Sequence, residues 1–184
     1  MHSNIIIKTA DITKENVCAI VNAANSSLMG GGGVDGASHR AGGHQVLEAC
    51  RTIRKNQYSD GLPTGEAVAT TAGAIHADYI IHTVGPIYSQ CGKKCKEFLS
   101  SCYINSLKIA QELGCKDIAF PAISTGIYGY PKEEAARIAY GSVKYFLDEG
   151  YDIKVIFVFH NHNDEKYFRK AILADSLNNT SFNG

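Results

Sequence analysis

Short apolar runs alternate along this chain with longer segments that have helical periodicity. Six runs rich in β-branched and aromatic residues predict strands, namely Ile5–Ile7, Ala19–Val21, Ala67–Thr71, Tyr79–Val84, Ile118–Phe120 and Ile153–Phe159. The stretch Val155–Phe159 is continuously apolar, which is typical of a strand that is covered on both faces. We therefore expect these strands to form a sheet buried between layers of helices.

Five segments have the spacing of amphipathic helices. In one of them Leu99, Cys102 and Leu107 fall on a single face, and in another Ala135, Ala139 and related apolar residues do the same. The predicted helices are Gly36–Ala41, Gln45–Lys55, Phe98–Leu113, Lys132–Leu147 and Asp164–Ala174. Strands that alternate with helices in this way predict an α/β fold, a three-layer α/β/α sandwich with a mixed, largely parallel central sheet.

Length and composition indicate one globular domain. The chain has 184 residues, of which 45% are hydrophobic and 20% are charged. No internal repeat or linker divides it, so we assign residues 1–175 to a single domain and residues 176–184 to a polar C-terminal tail. We expect a monomer.

The charge balance and the absence of long apolar runs narrow the choice of partner. Eighteen basic residues match eighteen acidic ones, which argues against a stable nucleic-acid partner but permits a small anionic ligand held by backbone amides. No apolar run is long enough to span a membrane, and the first residues lack the basic and apolar regions of a signal peptide. We therefore expect a cytoplasmic protein with no membrane partner.

The six cysteines are expected to be free thiols in a reducing compartment. Cys91, Cys95 and Cys102 stand close together in the sequence, but their spacing matches no standard zinc pattern and no histidine lies near them. The sequence thus predicts no metal site.

The most unusual segment is a run of glycines, Gly30–Gly33, followed by Val34, Asp35 and Gly36. Glycine weakens helices and strands, so this run favours a place where the backbone approaches a ligand over a flexible surface loop. The glycine spacing matches the dinucleotide fingerprint, but Ala23–Met29 separates it from the preceding strand, whereas the fingerprint follows its strand directly. A dehydrogenase is therefore a poor fit, and a P-loop is excluded because no Gly-Lys-Ser/Thr ending is present.

A second glycine loop, Ser124–Gly129, follows the strand that ends at Phe120. Backbone amides in such a turn can form a nest for phosphate oxygens, although an ordinary turn with glycines at positive φ is the alternative. Ligands of parallel sheets bind outside the carboxyl ends of the strands. Two glycine loops at these ends suggest a diphosphate held between them.

Four segments resemble, in the same order, the signature blocks of the macrodomain family: Ala19–Asn25, Ser26–Ala37, His82–Pro86 and Phe120–Pro131. The second of them is similar to the MacroD-type branch, and together the blocks span most of the chain. The resemblance implies a macrodomain-like fold and ADP-ribose or a derivative as the ligand.

For the adenine, the resemblance implies contacts near the first and last strands. Asp11, with Ile12 beside it, would accept a hydrogen bond from the exocyclic amine, and its alternative role is an N-cap. Phe159 would pack on the adenine face, and its alternative role is a core residue.

For the diphosphate and the distal ribose, the resemblance points to the two glycine loops. The implied ligand-binding residues are Gly32, Gly33, Val34, Ser124, Thr125, Gly126, Ile127 and Tyr128, with Asn25 and Asp35 at the distal ribose. Asn25 offers both a donor and an acceptor to a vicinal diol, and its alternative role is that of a turn residue. Asp35 can orient or activate a water. The resemblance thus makes Asp35, Asn25, Gly33 and His39 the candidate catalytic residues. Gly33 would position the ribose, and His39, which shares a helical face with Asp35, would support that carboxylate; its alternative role is a simple i,i+4 partner or a helix-surface residue. We expect Asn22 to shape the loop through backbone contacts and His82 to be structural.

The favoured function is a mono-ADP-ribosyl hydrolase that removes ADP-ribose from acidic side chains and also deacetylates O-acetyl-ADP-ribose, with no metal and no cofactor. The expected partners are ADP-ribose, mono-ADP-ribosylated proteins and O-acetyl-ADP-ribose. Two alternatives stay open: a non-catalytic reader of ADP-ribosylated proteins, and a phosphatase that acts on ADP-ribose 1″-phosphate.

Overall fold

The computed structural model describes residues 1–180 and the side chains of residues 1–174. The strands are β1 (Ile5–Thr9), β2 (Ala19–Ala24), β3 (Ala67–Thr71), β4 (Tyr79–Val84), β5 (Asp117–Phe120) and β6 (Lys154–Phe159). The helices are α1 (Gly33–Gly42), α2 (His44–Asn56), α3 (Cys95–Glu112), α4 (Lys132–Asp148) and α5 (His162–Thr180), and short 3₁₀ turns cover Ile12–Lys14 and Gly92–Lys94.

The six strands form one mixed sheet in the order β1-β6-β5-β2-β4-β3. All neighbouring pairs are parallel except β3 with β4, which is antiparallel. β2 and β5 are therefore central neighbours whose carboxyl ends lie at the same edge. The predicted three-layer sandwich with a largely parallel sheet is confirmed.

Two apolar layers cover the faces of the sheet. Helices α3, α4 and α5 pack on one face, where Ile7, Val21 and Phe157 belong to the core. Helix α2 packs on the other face through Val46 and Cys50. It contacts Ile20 and the other strand residues that point to this second face. Alternate residues of each strand thus enter different layers, as the two-residue repeat of a strand requires.

The predicted strands and helices are all present, and the differences lie at their ends. β2 continues past the predicted end at Val21 because its ladder with β4 runs on to the pair Ala24 and Val84. α5 continues past the predicted end at Ala174 to Thr180, so the first part of the predicted polar tail, residues 176–184, is helical. The apolar pattern that predicted these two ends shows which residues pack in the core. It does not show where the backbone hydrogen bonds of the strand or helix stop. Residues 181–184 lie outside the described residues.

The expectation of six free thiols is wrong for four cysteines. Disulfides join Cys18 to Cys115 and Cys91 to Cys95, with Cα atoms 5.4 and 5.0 Å apart, while Cys50 and Cys102 are buried free thiols. Cys18 and Cys115 are remote in sequence but stand just before β2 and β5, which begin side by side. Sequence spacing alone does not reveal this proximity. Within residues 1–180, no helix is long and apolar enough to cross a membrane.

Candidate functional site

The candidate site is a cleft of about 530 Å³ at the carboxyl edge of the sheet, between the loop after β2 and the loop after β5. Its lining consists of Ala23–Asn25, Gly31–Asp35, Gly85 and Ala122–Tyr128. The structure therefore brings together all the residues that were predicted to hold the diphosphate and the distal ribose.

The start of α1 forms one wall of this cleft and leaves its amides open. Helix α1 begins at Gly33 with Gly32 as the N-cap, and Gly32 has no side chain that could bond the first turn. The first amides of a helix have no partner within the helix, and the helix dipole makes this end favourable for an anion. The wall is therefore suited to phosphate oxygens.

The loop after β5 forms the opposite wall and is held from outside the cleft. Tyr130 N donates to Ser124 O at 2.9 Å, and Tyr88 N donates to Tyr128 O at 2.9 Å. Among the described residues, the amides of Thr125–Tyr128 donate to no protein acceptor. They remain available to a ligand, as a phosphate-binding nest requires. Ile127 is 99% exposed, so it lies at the rim of this wall.

Ser124 and Gly85 fix how closely this loop approaches β4. Ser124 has a φ of 65°, a left-handed conformation that a non-glycine residue rarely adopts and that is concentrated at functional sites. A Cβ atom on Gly85 would lie only 2.2 Å from Ser124 Oγ. A side chain at position 85 would therefore force the side chains of Ser124 and Ile123 to move. The sequence analysis gave Gly85 no role; its place directly after a buried strand was the available signal.

Asp35 is the single carboxylate in the cleft lining, and it is 4% exposed. Its Oδ1 accepts a hydrogen bond from Asn22 Nδ2 at 2.8 Å, while its Oδ2 is buried without a protein partner. Burial raises the pKa of Asp35 above its ordinary value, and the hydrogen bond from Asn22 and the imidazole of His39 oppose this rise. One oxygen is thus anchored and the other is left for a water or a ligand.

Asn25 lies beside the free oxygen of Asp35. A Cβ atom on Gly31 would lie 3.1 Å from Asp35 Oδ2 and 3.3 Å from Asn25 Nδ2, so both atoms border one point in the cleft. Asn25 Nδ2 also donates to Gly30 O at 3.1 Å, and its Oδ1 accepts from Ser27 N at 3.0 Å. Asn25 therefore lies in the cleft and also holds the turn, which was the alternative role given for it.

His39 supports Asp35 from behind the cleft and does not line it. Its Nε2 lies 3.6 Å from Asp35 Oδ1, as their predicted shared helical face requires, and its ring packs 3.5 Å from the position of a Cβ on Gly30. His39 thus fills the space between the glycine loop and the carboxylate. Tyr128 lies near enough for the negative charge of Asp35 to act on it: burial, and then this charge, raises the pKa of Tyr128.

Asp11 stands apart from this cleft, after β1. It is the N-cap of a 3₁₀ turn, and its Oδ1 accepts hydrogen bonds from Thr13 N at 3.0 Å and Thr13 Oγ1 at 2.7 Å. The bond from the Thr13 hydroxyl is the main cause that lowers the pKa of Asp11, so the carboxylate is ionised. Its alternative role as an N-cap is present, and its exposed position leaves Oδ2 open to an adenine amine. The neighbouring Ile12 is buried.

Phe159 occupies the core position that was the alternative to adenine stacking. It is 5% exposed, and its ring centroid lies 5.0 Å from that of Phe168. It lines a cavity of about 30 Å³ together with Ala122, Ile123 and Thr125, which also line the cleft, so this cavity adjoins the cleft beside the loop after β5. Phe159 thus packs in the core and also lines a cavity next to the cleft, and the packing of adenine on its ring stays a prediction.

Behind Asp35 lies a group of possible metal ligands that the sequence did not predict. Donor atoms of His39, Cys50 and His82 lie within 4.8 Å of one another. Hydrogen-bonding contacts to Asn22 and Thr70 already occupy both nitrogens of His82, so an ion here would have to displace one of them. That the site needs no metal therefore remains a prediction.

Asn22 is the functional residue whose role the sequence analysis misjudged. We expected it to bond to the backbone and so shape the loop, but it is fully buried in β2, and its side chain contacts the side chains of Asp35 and His82. A polar residue inside an otherwise apolar strand was the signal that could have identified it, because buried polar groups need partners.

Comparison with known proteins agrees with this geometry. The family model described as Macro domain matches residues 21–139. A protein of Escherichia fergusonii named O-acetyl-ADP-ribose deacetylase is 46% identical over 173 residues, which are 94% of this chain and 97% of the relative. Solved structures include the Oceanobacillus iheyensis macrodomain with ADP, at 43% identity and a TM-score of 0.89, covering 91% of this chain and 89% of that one.

A second solved structure, the Trypanosoma brucei macrodomain in complex with ADP-ribose, is 37% identical with a TM-score of 0.82. The match covers 92% of this chain and 69% of the trypanosome chain. The family model spans well over half of the residues, and the E. fergusonii relative matches almost end to end. This chain belongs to the Macro domain family.

Proposed function

We propose that this protein binds ADP-ribose with its diphosphate between the start of α1 and the loop Ser124–Tyr128. The observation that carries the proposal is the pair of walls with open amides on either side of one cleft, with Asp35 at one end. Backbone amides and a helix N-terminus neutralise a diphosphate without a basic side chain. The relatives solved with ADP and with ADP-ribose support this choice of ligand.

Asp11 is proposed to recognise the adenine by accepting a hydrogen bond from the exocyclic amine. Replacing Asp11 by Asn is expected to weaken ADP-ribose binding roughly tenfold, because a hydrogen bond to a charged acceptor becomes one to a neutral amide. Calorimetry with ADP-ribose and with its inosine analogue, which lacks the amine, measures this contribution. The wild type should favour ADP-ribose, and the variant should favour it less, because a neutral amide oxygen is a weaker acceptor; an equal preference in both proteins would remove Asp11 from adenine recognition.

We further propose that the protein hydrolyses esters of ADP-ribose, both O-acetyl-ADP-ribose and the esters that join ADP-ribose to acidic side chains. A water held near Asp35 Oδ2 and Asn25 attacks the ester carbonyl carbon. The acyl–oxygen bond breaks, the acid leaves, and the ribose oxygen receives a proton. The proton lost by the water goes to Asp35 or to the ligand diphosphate. Positioning of the distal ribose by Gly32 and Gly33 supplies much of the rate. The name of the E. fergusonii relative supports the acetyl ester as a substrate.

A comparison of linkages tests the ester hydrolase. Proteins that carry ADP-ribose on glutamate and proteins that carry it on serine are incubated with this protein, and the remaining label is measured. We expect loss from glutamate only, because the serine linkage has no carbonyl carbon for water to attack. Stable retention of both labels together with tight ADP-ribose binding would instead identify a reader. Release of inorganic phosphate from ADP-ribose 1″-phosphate would identify a phosphatase.

A further inference from the structure

Three polar side chains cross the sheet behind the cleft, where the neighbouring residues on the same face of the strands are apolar. Asn22 on β2 and His82 on β4 stand opposite each other in the strand register, and Thr70 lies on the next strand, β3. Asn22 and His82 are completely buried, and Thr70 is 6% exposed. Burying three polar groups costs free energy unless each is hydrogen bonded, so each is expected to have a partner inside the protein.

The hydrogen bonds run outward from Asn22, to Asp35 on one side and through His82 to Thr70 on the other. Asn22 Nδ2 donates to Asp35 Oδ1 at 2.8 Å and also lies 3.1 Å from His82 Nδ1. An amide nitrogen is only a donor, so Nδ1 of His82 must accept and the ring proton must sit on Nε2. This Nε2 lies 2.9 Å from Thr70 Oγ1, whose own proton goes to Thr71 O at 3.0 Å. The Thr70 hydroxyl therefore accepts from His82, and every proton in the row is assigned.

The orientation of the Asn22 amide depends on this row. If the amide turned over, its oxygen would face both the carboxylate of Asp35 and the unprotonated Nδ1 of His82, which are both acceptors. Acceptors on both sides, Asp35 Oδ1 and His82 Nδ1, therefore hold the NH₂ group between them, while Asn22 Oδ1 is buried without a partner. The ring is neutral, since burial lowers the pKa of His82 to about 3.

We propose that His82 is a positioning residue for Asp35, acting through Asn22 and held in the required tautomer by Thr70. The proposal rests on the ester hydrolase proposed above, in which Asp35 faces the attacking water. The other titratable groups near His82 are His39 and Asp35 on α1 and Cys50 on α2. Cys50 stays a thiol, because burial raises its pKa to about 11. His82 thus sets which oxygen of Asp35 is anchored and how readily Asp35 is protonated.

A matched pair of variants at position 82 tests this role. Asn and Leu have nearly the same shape, but only Asn offers an oxygen that can replace Nδ1 as the acceptor. Both variants leave the same space, so packing losses should be equal. We expect kcat for O-acetyl-ADP-ribose in His82→Leu to fall roughly ten- to hundredfold below that in His82→Asn, the range for losing a hydrogen bond to a charged group. KM and ADP-ribose affinity should be equal in the two variants.

The pH profile separates positioning from loosened packing. The bond from Asn22 lowers the pKa of Asp35, so its loss raises this pKa. The acid limb of kcat/KM should therefore move to higher pH in His82→Leu and stay near the wild-type position in His82→Asn. A purely structural role would reduce activity equally at every pH. Thr70→Val removes the acceptor of the Nε2 proton with little change of shape, so it should move the acid limb in the same direction. This variant replaces His82→Leu in the test if His82→Leu does not fold.

A direct titration keeps the test independent of turnover. Carbon-13 NMR of the Asp35 carboxylate, assigned with Asp35→Asn, reports its protonation in each protein. A higher titration midpoint in His82→Leu and Thr70→Val than in His82→Asn supports the proposal. Equal midpoints and equal kcat in all three variants overturn it. If the wild type binds ADP-ribose without hydrolysing any ester, the proposed hydrolase falls, while the NMR titration still decides the role of His82.

Discussion

Replacing Asp35 by Asn is expected to lower kcat for O-acetyl-ADP-ribose by roughly 10²- to 10⁴-fold, the usual contribution of a positioned general base. Asp35 Oδ2 is buried without a protein partner and borders Asn25 Nδ2, so a water bound there meets a carboxylate. The amide of Asn keeps the shape but does not accept a proton. ADP-ribose should still bind to the variant, because the open amides of the two loops remain.

Steady-state kinetics and calorimetry on the same preparations measure these two effects. Glu149→Gln is the control, since Glu149 is an exposed carboxylate at the opposite edge of the sheet, just before β6. The control should match the wild type in both measurements. Unchanged turnover in Asp35→Asn would show that the ligand diphosphate, and not Asp35, takes the proton from the attacking water. Loss of binding together with turnover would show that Asp35 holds the glycine loop instead.

The pH dependence of ester hydrolysis by the wild type is expected to follow the ionisation of Asp35. Burial raises the pKa of Asp35, and the base is active only when ionised. Activity should therefore be complete above this raised pKa and fall as the pH decreases through it, at a higher pH than for an exposed aspartate. Asp11 is exposed and its pKa is lowered, so ADP-ribose affinity should persist to lower pH than turnover.

Much of the fold and of the cleft follows from local sequence patterns. The runs that predicted β3 and β4 have the observed bounds, because both strands are flanked by polar or turn residues that interrupt the ladder. The glycine run and Ser124–Gly129 were located correctly because both follow strands of a parallel sheet, whose ends meet at one edge. The role proposed for these loops depends on backbone amides, and glycine is a visible sign of an exposed backbone.

The remaining features depend on which residues meet across the sheet, and local patterns do not contain that information. Cys18 and Cys115 are joined only because β2 and β5 are neighbours in the strand order. Asn22 meets His82 because β2 and β4 pair in one particular register. Phe159 packs against Phe168 of α5 and lines a cavity next to the cleft, a placement that depends on how α5 packs against β6. These residues required the three-dimensional arrangement.

Gly36 fixes the shape of the glycine loop, and replacing it by Ala is expected to disrupt both binding and stability. A Cβ at this position would lie 2.4 Å from Gly31 O and 2.9 Å from Arg40 Nη1. The carbonyl belongs to the backbone of the cleft wall, so the loop must move for the methyl group to fit. We expect ADP-ribose affinity to fall at least roughly tenfold and the free energy of unfolding to decrease by about 1–3 kcal/mol, as for other overpacked sites.

Gly141 provides a control of the same chemical change within a helix. It is exposed on α4, and nothing lies within 4 Å of a Cβ built on it. Gly141→Ala should raise the free energy of unfolding by roughly 0.5–1 kcal/mol, because alanine loses less backbone entropy in a helix, and should leave ADP-ribose affinity unchanged. Urea denaturation and calorimetry compare the two variants. If Gly36→Ala matched Gly141→Ala in both measurements, the close contact with Gly31 would not define the ligand-binding wall, and the diphosphate would have to be held by the loop after β5 alone.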